Sequence, residues 1–375
     1  MADSKKSVKD PFIRVVKRDG LKTSTSVSVR AVAVVLALLA DALFIYFMTG
    51  LNPVAVYAKM LEGTFDFRYG SEYFISVLLT TLRDMALLLG IAVALAPAFK
   101  MKFWNIGAEG QVLMGALATA FVMIQFTGKV PNWLLVVMMV AFAIFSGAVW
   151  GLIPAIFKTK RGTNETLFTL MMNYIAINIV DYQINIWRGN KSALGNINSQ
   201  SQIGWLPRIM GDYFTLGIML VLVLAVVIYI YLKYTKQGYE ISVVGESERT
   251  ARYAGINVKN VVMRTMAISG AICGICGFLV VAGKDHTVSS NSAGGYGFTA
   301  IIVAWMAKFN PFFMMLIAFL IAFLEHGASA ISSAYPHINS DAADIISGII
   351  LFFLIGCEFF INYRPVIRIG KRKED

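Results

Sequence analysis

The run Asn105-Ile106-Gly107-Ala108-Glu109-Gly110-Gln111 places a carboxylate, two amides and two glycines where a long apolar stretch begins. Ionisable and strongly polar groups are costly inside a membrane span, so they face a cavity or one another. Two readings fit. The run is a helix start open to an aqueous passage, with free N–H groups and a carboxylate at the positive end of the dipole, or Glu109 simply caps a helix at the membrane surface. A second set, Tyr174, Asn178, Asp181 and Asn185, shares an arc about 60° wide at roughly 100° per residue. It is either the wall of a hydrophilic passage or a seam of interhelical hydrogen bonds. The third place is Lys284–Gly297, which holds Ser289, Ser290, Asn291, Ser292 and three glycines. Non-helical backbone at membrane depth survives only when buried in protein or lining a cavity. This segment therefore forms part of a gate if it dips inward, and an outer loop if it does not. Glu325 and His326 read chiefly as a structural contact with another span, and the adjacent Arg83 and Asp84 do not face each other on a helix.

Other chemistry is excluded. Cys273-x-x-Cys276 has a metal-like spacing but sits mid-span without a second ligand pair, and His286, His326 and His337 are distant in sequence. No Gly-x-x-x-x-Gly-Lys loop is present, nor a Ser/His/Asp arrangement with usable flanks. The chain is therefore expected to bind no metal or cofactor and to hydrolyse no nucleotide itself. Gly270-xxx-Gly274 is a small-residue face suited to close helix packing.

The elements that must carry these residues follow from composition. Of 375 residues, 57% are apolar and 15% charged. Soluble domains run at about 45–50% and about 25%, so the excess belongs in lipid. Runs long enough to cross a bilayer are Ala31–Leu51, Phe74–Phe99, Trp104–Phe126, Leu134–Phe157, Thr166–Trp187, Tyr213–Leu232, Val261–Gly283, Phe312–Ser333 and Ala343–Tyr363. Phe298–Ala307 is about half a span. The expected fold is an all-α polytopic membrane protein of about ten transmembrane helices with both termini cytoplasmic. With the N-terminus inside, 25 of the 33 Lys and Arg lie on the cytoplasmic side, seven lie outside and Arg83 lies within a span. The net charge of +11 thus reports topology rather than a nucleic-acid partner. The first apolar run is too long for a secretory signal and reads as a start-transfer anchor.

Residues 1–30 form a basic cytoplasmic arm, 31–363 the transmembrane domain and 364–375 a basic tail. The inner segment Gly238–Val258 carries Glu246, Glu248, Arg249 and Arg252, with Glu248 and Arg252 at i,i+4 on a short surface helix that Gly255 stops. It is a docking surface for a cytoplasmic partner or a solvated connector.

The stretch Phe103-Trp-Asn-Ile-Gly-Ala-Glu-Gly-Gln111 resembles the "FNIGAEGQ" signature of the simple-sugar and nucleoside ABC importer permeases, in the branched-chain amino acid and ribose permease superfamily. Three further stretches agree, in order: Arg161-Gly-Thr-Asn-Glu165 with Met172-Asn173-Tyr174; Gly238-Tyr-Glu through Ala251-Arg-Tyr-Ala-Gly-Ile256; and Gly295-Tyr-Gly-Phe298 through Phe309-Asn-Pro311. The resemblance covers nearly the whole chain. It implies a permease subunit in a bacterial cell membrane, paired with a second, related permease, and the Ala-Glu-Gly-Gln ending resembles the longer member of a heterodimer. It also implies a cytoplasmic ATPase that uses the ATP, and an extracytoplasmic binding protein, often a lipoprotein. Gly238–Val258 matches the family's coupling region. The residues expected to line the path, most of them from their polar character within spans, are Asn105, Glu109, Gln111, Asn173, Tyr174, Asn178, Asp181, Asn185, Ser289 and Asn291. The implied solute is a nucleoside, with a simple sugar as the alternative. An ion-coupled secondary transporter is the rival class, with Glu109 its one serious coupling carboxylate. An intramembrane enzyme lacks a nucleophile and base. The sequence departs from the family's pattern at Arg83-Asp84, where a less charged stretch is usual, and in its long basic arm.

Overall fold

The structure, a computed structural model, describes residues 13–18, 23–335, 338 and 340–367. His337 lies outside the described residues. Contacts divide the chain into two compact units, Thr64–Phe323 and the segments on either side of it.

The larger unit contains α3 (Ser71–Lys100), α4 (Ala108–Phe126), α5 (Asn132–Arg161), α6 (Glu165–Arg188), α7 (Thr215–Tyr234), α8 (Lys236–Glu246), α9 (Glu248–Tyr253), α10 (Val258–Leu279) and α11 (Tyr296–Met306). The first half of α12 (Pro311–Ala334) belongs to it too. A π-helical turn, Val280–Lys284, continues α10. Local chemistry marks the helix starts. The side chains of Asn164, Thr235, Ser247 and Asn257 each accept a backbone N–H from the first turn of α6, α8, α9 and α10 respectively. In the middle of the unit α10 packs on α5, α4 and α3. The close approach is set by Gly270 of α10, where a Cβ would strike the carbonyl of Gly147 on α5. Without a hydrophobic driving force in lipid, such backbone-to-backbone packing holds the helices together.

Among the described residues, eight helices are long and apolar enough to cross a membrane. The expected crossings correspond to these eight plus α6 and α11. At 24 residues α6 is long enough, but its polar residues dilute its hydropathy. With 11 residues, α11 covers about half of a hydrocarbon layer some 30 Å thick. The third span starts later than expected. Phe103–Gly107 is irregular and the helix begins at Ala108, because Asn105 Oδ1 takes the Gly107 N–H (3.0 Å) and turns the backbone.

The other unit pairs α1 (Thr23–Thr49) with α13 (Ser340–Asn362), beside α2 (Pro53–Glu62) and the second half of α12. Helix α1 starts inside the segment expected to be a free arm. Two short strands, β1 (Ile13–Lys17) and β2 (Tyr363–Ile367), pair antiparallel from Ile13↔Ile367 to Lys17↔Tyr363. Asp41 of α1 is fully buried beside Tyr57. A lone acid within an apolar run gave no spacing signal to read in the sequence.

Candidate functional site

The signature segment is a sealed hydrogen-bonded joint. Asn105, Glu109, Gln111, Thr169, Asn173 and Ser269 are all buried. Asn105 and Gln111 pair through their amides (3.3 and 3.5 Å), and Asn105 Nδ2 also donates to Ser269 Oγ on α10 (3.3 Å). On the α6 side, the Gly110 N–H donates to Asn173 Oδ1 (2.8 Å) and Asn173 Nδ2 donates to the Ile106 carbonyl (2.9 Å). The Ile106 N–H reaches Thr169 Oγ1 (3.1 Å). The Gly110 N–H and both backbone groups of Ile106 at the start of α4 thus find partners on α6, as buried polar groups must.

Glu109 holds the opposite side. Its Oε1 accepts the N–H of Gly295 (2.9 Å) and its Oε2 that of Gly297 (2.8 Å). These are the opening N–H groups of α11, so the carboxylate lies at the positive ends of two helices at once, its own and α11's. Charge-assisted bonds of this kind contribute about 1.5–3 kcal/mol each. Gly297 is obligatory, since a Cβ there would lie 2.5 Å from the Glu109 backbone nitrogen. Gly295, at φ 74°, makes the left-handed turn into the helix. Trp104 then stacks on Trp305 in the last turn of α11, ring centroids 5.1 Å apart.

The stripe on α6 has the opposite fate. Tyr174, Asn178, Asp181 and Asn185 are all exposed on the isolated chain, and only Asn178 turns back, donating to the Tyr174 carbonyl (2.7 Å). The outer part of the stripe meets the serine-rich segment. Asp181 and Arg188 line a cavity of about 360 Å³ with Ser192, Thr287, Ser289 and Ser290. Asn291 is exposed in the tight turn that follows and does not line the cavity; Asn185 does not line it either. The structure therefore brings Asp181 and Ser289 together, and keeps both apart from the joint around Glu109.

At the other end, α8 is fixed and α9 is presented. Glu240 of α8 pairs with Arg264 of α10 (3.0 Å), and Gly245 abuts the Lys100 carbonyl so closely that no Cβ fits. Glu246, Glu248, Arg249, Arg252 and Gly255 are exposed, while Ala251 anchors α9 inward. Arg252 pairs with Glu248 at 3.3 Å, and Gly255 closes the helix at φ 78°. Sequence reasoning passed over Tyr253, which is 94% exposed. Its signal was an aromatic residue two positions before the stop glycine.

Near the α10 π-turn, Asp84 pairs with Lys284 at 2.8 Å, which gives the charged pair of α3 a partner across the fold. His286 stacks flat on Trp205, centroids 3.6 Å apart, with Tyr213 edge-on. Burial holds the imidazole below its usual pKa. Burial pushes the neighbouring Asp285 carboxyl up, against the pull of Lys284 and Arg83. Cys273, Cys276 and Cys357 are buried free thiols, and among the described residues no cluster of three metal-ligating side chains occurs. In the second unit, the His326 backbone carbonyl packs against Gly63 and Glu325 is exposed on α12.

Comparison with known proteins agrees with this architecture. The family described as branched-chain amino acid transport system / permease component matches residues 77–355. The guanosine ABC transporter permease NupP of Bacillus subtilis is 31% identical over 344 residues, covering 89% of this chain and 94% of that one. The glucose ABC transporter permease TsgB13 of Haloferax volcanii is 29% identical over 86% of each chain. The nucleoside ABC transporter permease NupB of Lactococcus lactis is 28% identical over 90% of this chain and 92% of that one. A match over most of the chain, laid on eight membrane-length helices, makes it a multi-pass plasma-membrane transport subunit that belongs to the branched-chain amino acid permease family of ABC transporters.

Proposed function

We propose that this chain forms the translocation path of an ATP-driven importer of nucleosides, together with a second, related permease. A cytoplasmic ATPase drives it and an extracytoplasmic binding protein loads it. One observation carries the path: the inner face of α6, with Thr169 and Asn173, is locked onto α4, while its outer face exposes Tyr174, Asn178, Asp181 and Asn185. Four polar side chains on one face, Asp181 among them, are costly against lipid, so that face belongs against an aqueous path and the partner permease. Asn105, Glu109, Gln111 and Asn173 stand behind the path and position its wall; Ser289 and Asn291 border its outer mouth. The basic bias of the loops supports a cytoplasmic N-terminus.

Nucleosides are favoured by the guanosine and nucleoside permeases among the relatives, and the glucose permease supports a sugar as the second reading. Guanosine and glucose both carry vicinal hydroxyls. An ion-coupled mechanism through Glu109 is disfavoured, because both of its oxygens are already engaged by backbone N–H groups.

In this mechanism the binding protein docks outside and the ATPases close inside. The motion enters through Glu246, Glu248, Arg249, Arg252 and Tyr253, with Gly255 setting the turn. Because α8 is pinned to α10 by Glu240 and Arg264, displacement of α9 pulls on the central helix rather than dissipating in a loose connector. Uptake of labelled uridine, guanosine and glucose, measured in cells that lack this chain and in cells that regain it, tests the assignment. Restored nucleoside uptake is expected. Restoration of glucose uptake alone would transfer the assignment to sugars, and restoration of neither would overturn both.

A further inference from the structure

The cavity at the outer end of α6 has a chemistry that the path alone does not require. Its polar lining is one carboxylate (Asp181), one guanidinium (Arg188) and the hydroxyls of Ser192, Thr287, Ser289 and Ser290. Arg188 is held in place by a bond to the Ser192 carbonyl (3.1 Å). Ser289 is fixed in its turn by Ser292, whose Oγ accepts the Ser289 N–H (2.8 Å). Most of the wall is apolar, with Ile184, Ala193, Leu194 and Val288 among its residues, so these polar groups are few. The volume of about 360 Å³ falls in the range of small-molecule sites, roughly 300–1,000 Å³.

We infer that this cavity is a weak recognition subsite for a cis-vicinal diol, such as the 2′,3′-hydroxyls of a ribose. A carboxylate accepts from both hydroxyls of such a diol at once, and a guanidinium donates back to their oxygens. The serine and threonine hydroxyls rotate to serve as donor or acceptor, and Ile184 meets the C–H face of the ring. Asp181 is the specificity-determining residue: without it, two hydroxyls enter a partly desolvated site with no strong acceptor. The subsite rests on the reading of α6 as the path wall, and it applies to any solute that carries such a diol. It orients the solute on arrival and leaves tight selection to the binding protein.

The test uses right-side-out vesicles holding the full chain with its partners. Ser289→Cys supplies a thiol at the cavity rim, and the native Cys273, Cys276 and Cys357 are buried. A charged methanethiosulfonate reagent then reports access to that position. Uridine and D-ribose should slow its labelling about tenfold, the scale of one charge-assisted hydrogen-bond set. 2′,3′-Dideoxyuridine should not slow it, and adding Asp181→Asn should abolish the protection, read as the ratio of labelling rates with and without uridine in the same variant. Equal protection by uridine and dideoxyuridine, or protection by no solute, would overturn the subsite. Protection by glucose and none by nucleosides would overturn the subsite, because the hydroxyls at C2, C3 and C4 of glucose are trans, and glucose transport beside it would transfer the assignment to sugars. If Ser289→Cys does not reach the membrane, Asp181→Asn alone decides. A fall of about tenfold in uridine uptake relative to dideoxyuridine supports the inference, and an unchanged ratio refutes it.

Discussion

The start of α4 and the outer face of α6 are built from the same kinds of residue and do opposite things. Around Glu109, amides and a carboxylate are buried and each has found a partner within the chain, Asn105, Asn173 and Glu109 on a distant helix and Gln111 on Asn105. Along Tyr174, Asn178, Asp181 and Asn185 the side chains are exposed on the chain by itself. Asn173 and Tyr174 are neighbours in sequence, yet one closes the joint and the other opens the stripe. Polar residues in a membrane span are therefore not evidence of a path by themselves. What separates scaffold from passage is whether the hydrogen bonds are already spent within the chain.

That contrast can be broken by substitution. The largest effect is expected from Glu109→Ala, which strips both N–H groups at the head of α11 of their acceptor. At about 1–3 kcal/mol for each unsatisfied donor, the loss is roughly 2–6 kcal/mol, and thermal unfolding of the purified protein in nanodiscs would measure it. Glu109→Gln, which keeps one acceptor oxygen, should lose less. If Glu109→Ala melted like the unaltered protein, the joint would not be structural.

Next in size is Asn173→Leu, which leaves the Gly110 N–H and the Ile106 carbonyl unpaired in a buried site. It should destabilise by about 2 kcal/mol. Tyr253→Ala on α9 should leave the melting curve alone and uncouple ATPase activity from uptake by tenfold or more, the scale of an aromatic anchor at an interface, roughly 2 kcal/mol. Asn178→Leu on the stripe should change stability by no more than about 0.5 kcal/mol while lowering uptake. A large drop in stability without a change in transport would reverse the contrast.

The smallest effect concerns His286. Its folded pKa is depressed by burial, so the unfolded chain binds the proton more readily. The stability it supports is complete above the unfolded value of about 6.5 and is lost as pH falls through the folded one. A melting series between pH 7.5 and 5 should show this decline in the unaltered protein and a shallower one in His286→Phe, taken with salt held constant.

Periodicity and hydropathy made the long helices legible, but the caps Asn164, Thr235, Ser247 and Asn257 were picked out only by the structure. Gly270-xxx-Gly274 correctly announced a close helix contact, because small residues at that spacing serve little else in lipid. The polar residues of the signature were visible as a group, but their partners were not. Glu109 meets Gly295 and Gly297 across more than 180 residues, and nothing local encodes that meeting. The helical wheel placed Tyr174, Asn178, Asp181 and Asn185 on one arc without saying which neighbour that arc would face. Arg188, Ser192 and Thr287 escaped notice because a cavity assembled from three segments has no single spacing. The pairing of β1 with β2 was equally invisible, since five residues in an otherwise charged stretch carry too little pattern.

That small pairing has a consequence for how the molecule is made. The smaller unit draws α1 from one end of the chain and α13 from the other, and the strands that flank these two helices pair with each other. Helix α1 must therefore wait in the bilayer, without its packing partner, until α13 arrives. Such a joint forms late, since distant segments meet only after the chain between them has been made. A protein cut short before α13 would leave α1 without that partner in the bilayer. The joint thus closes only once both α13 and the strand that follows it, through Ile367, have been made.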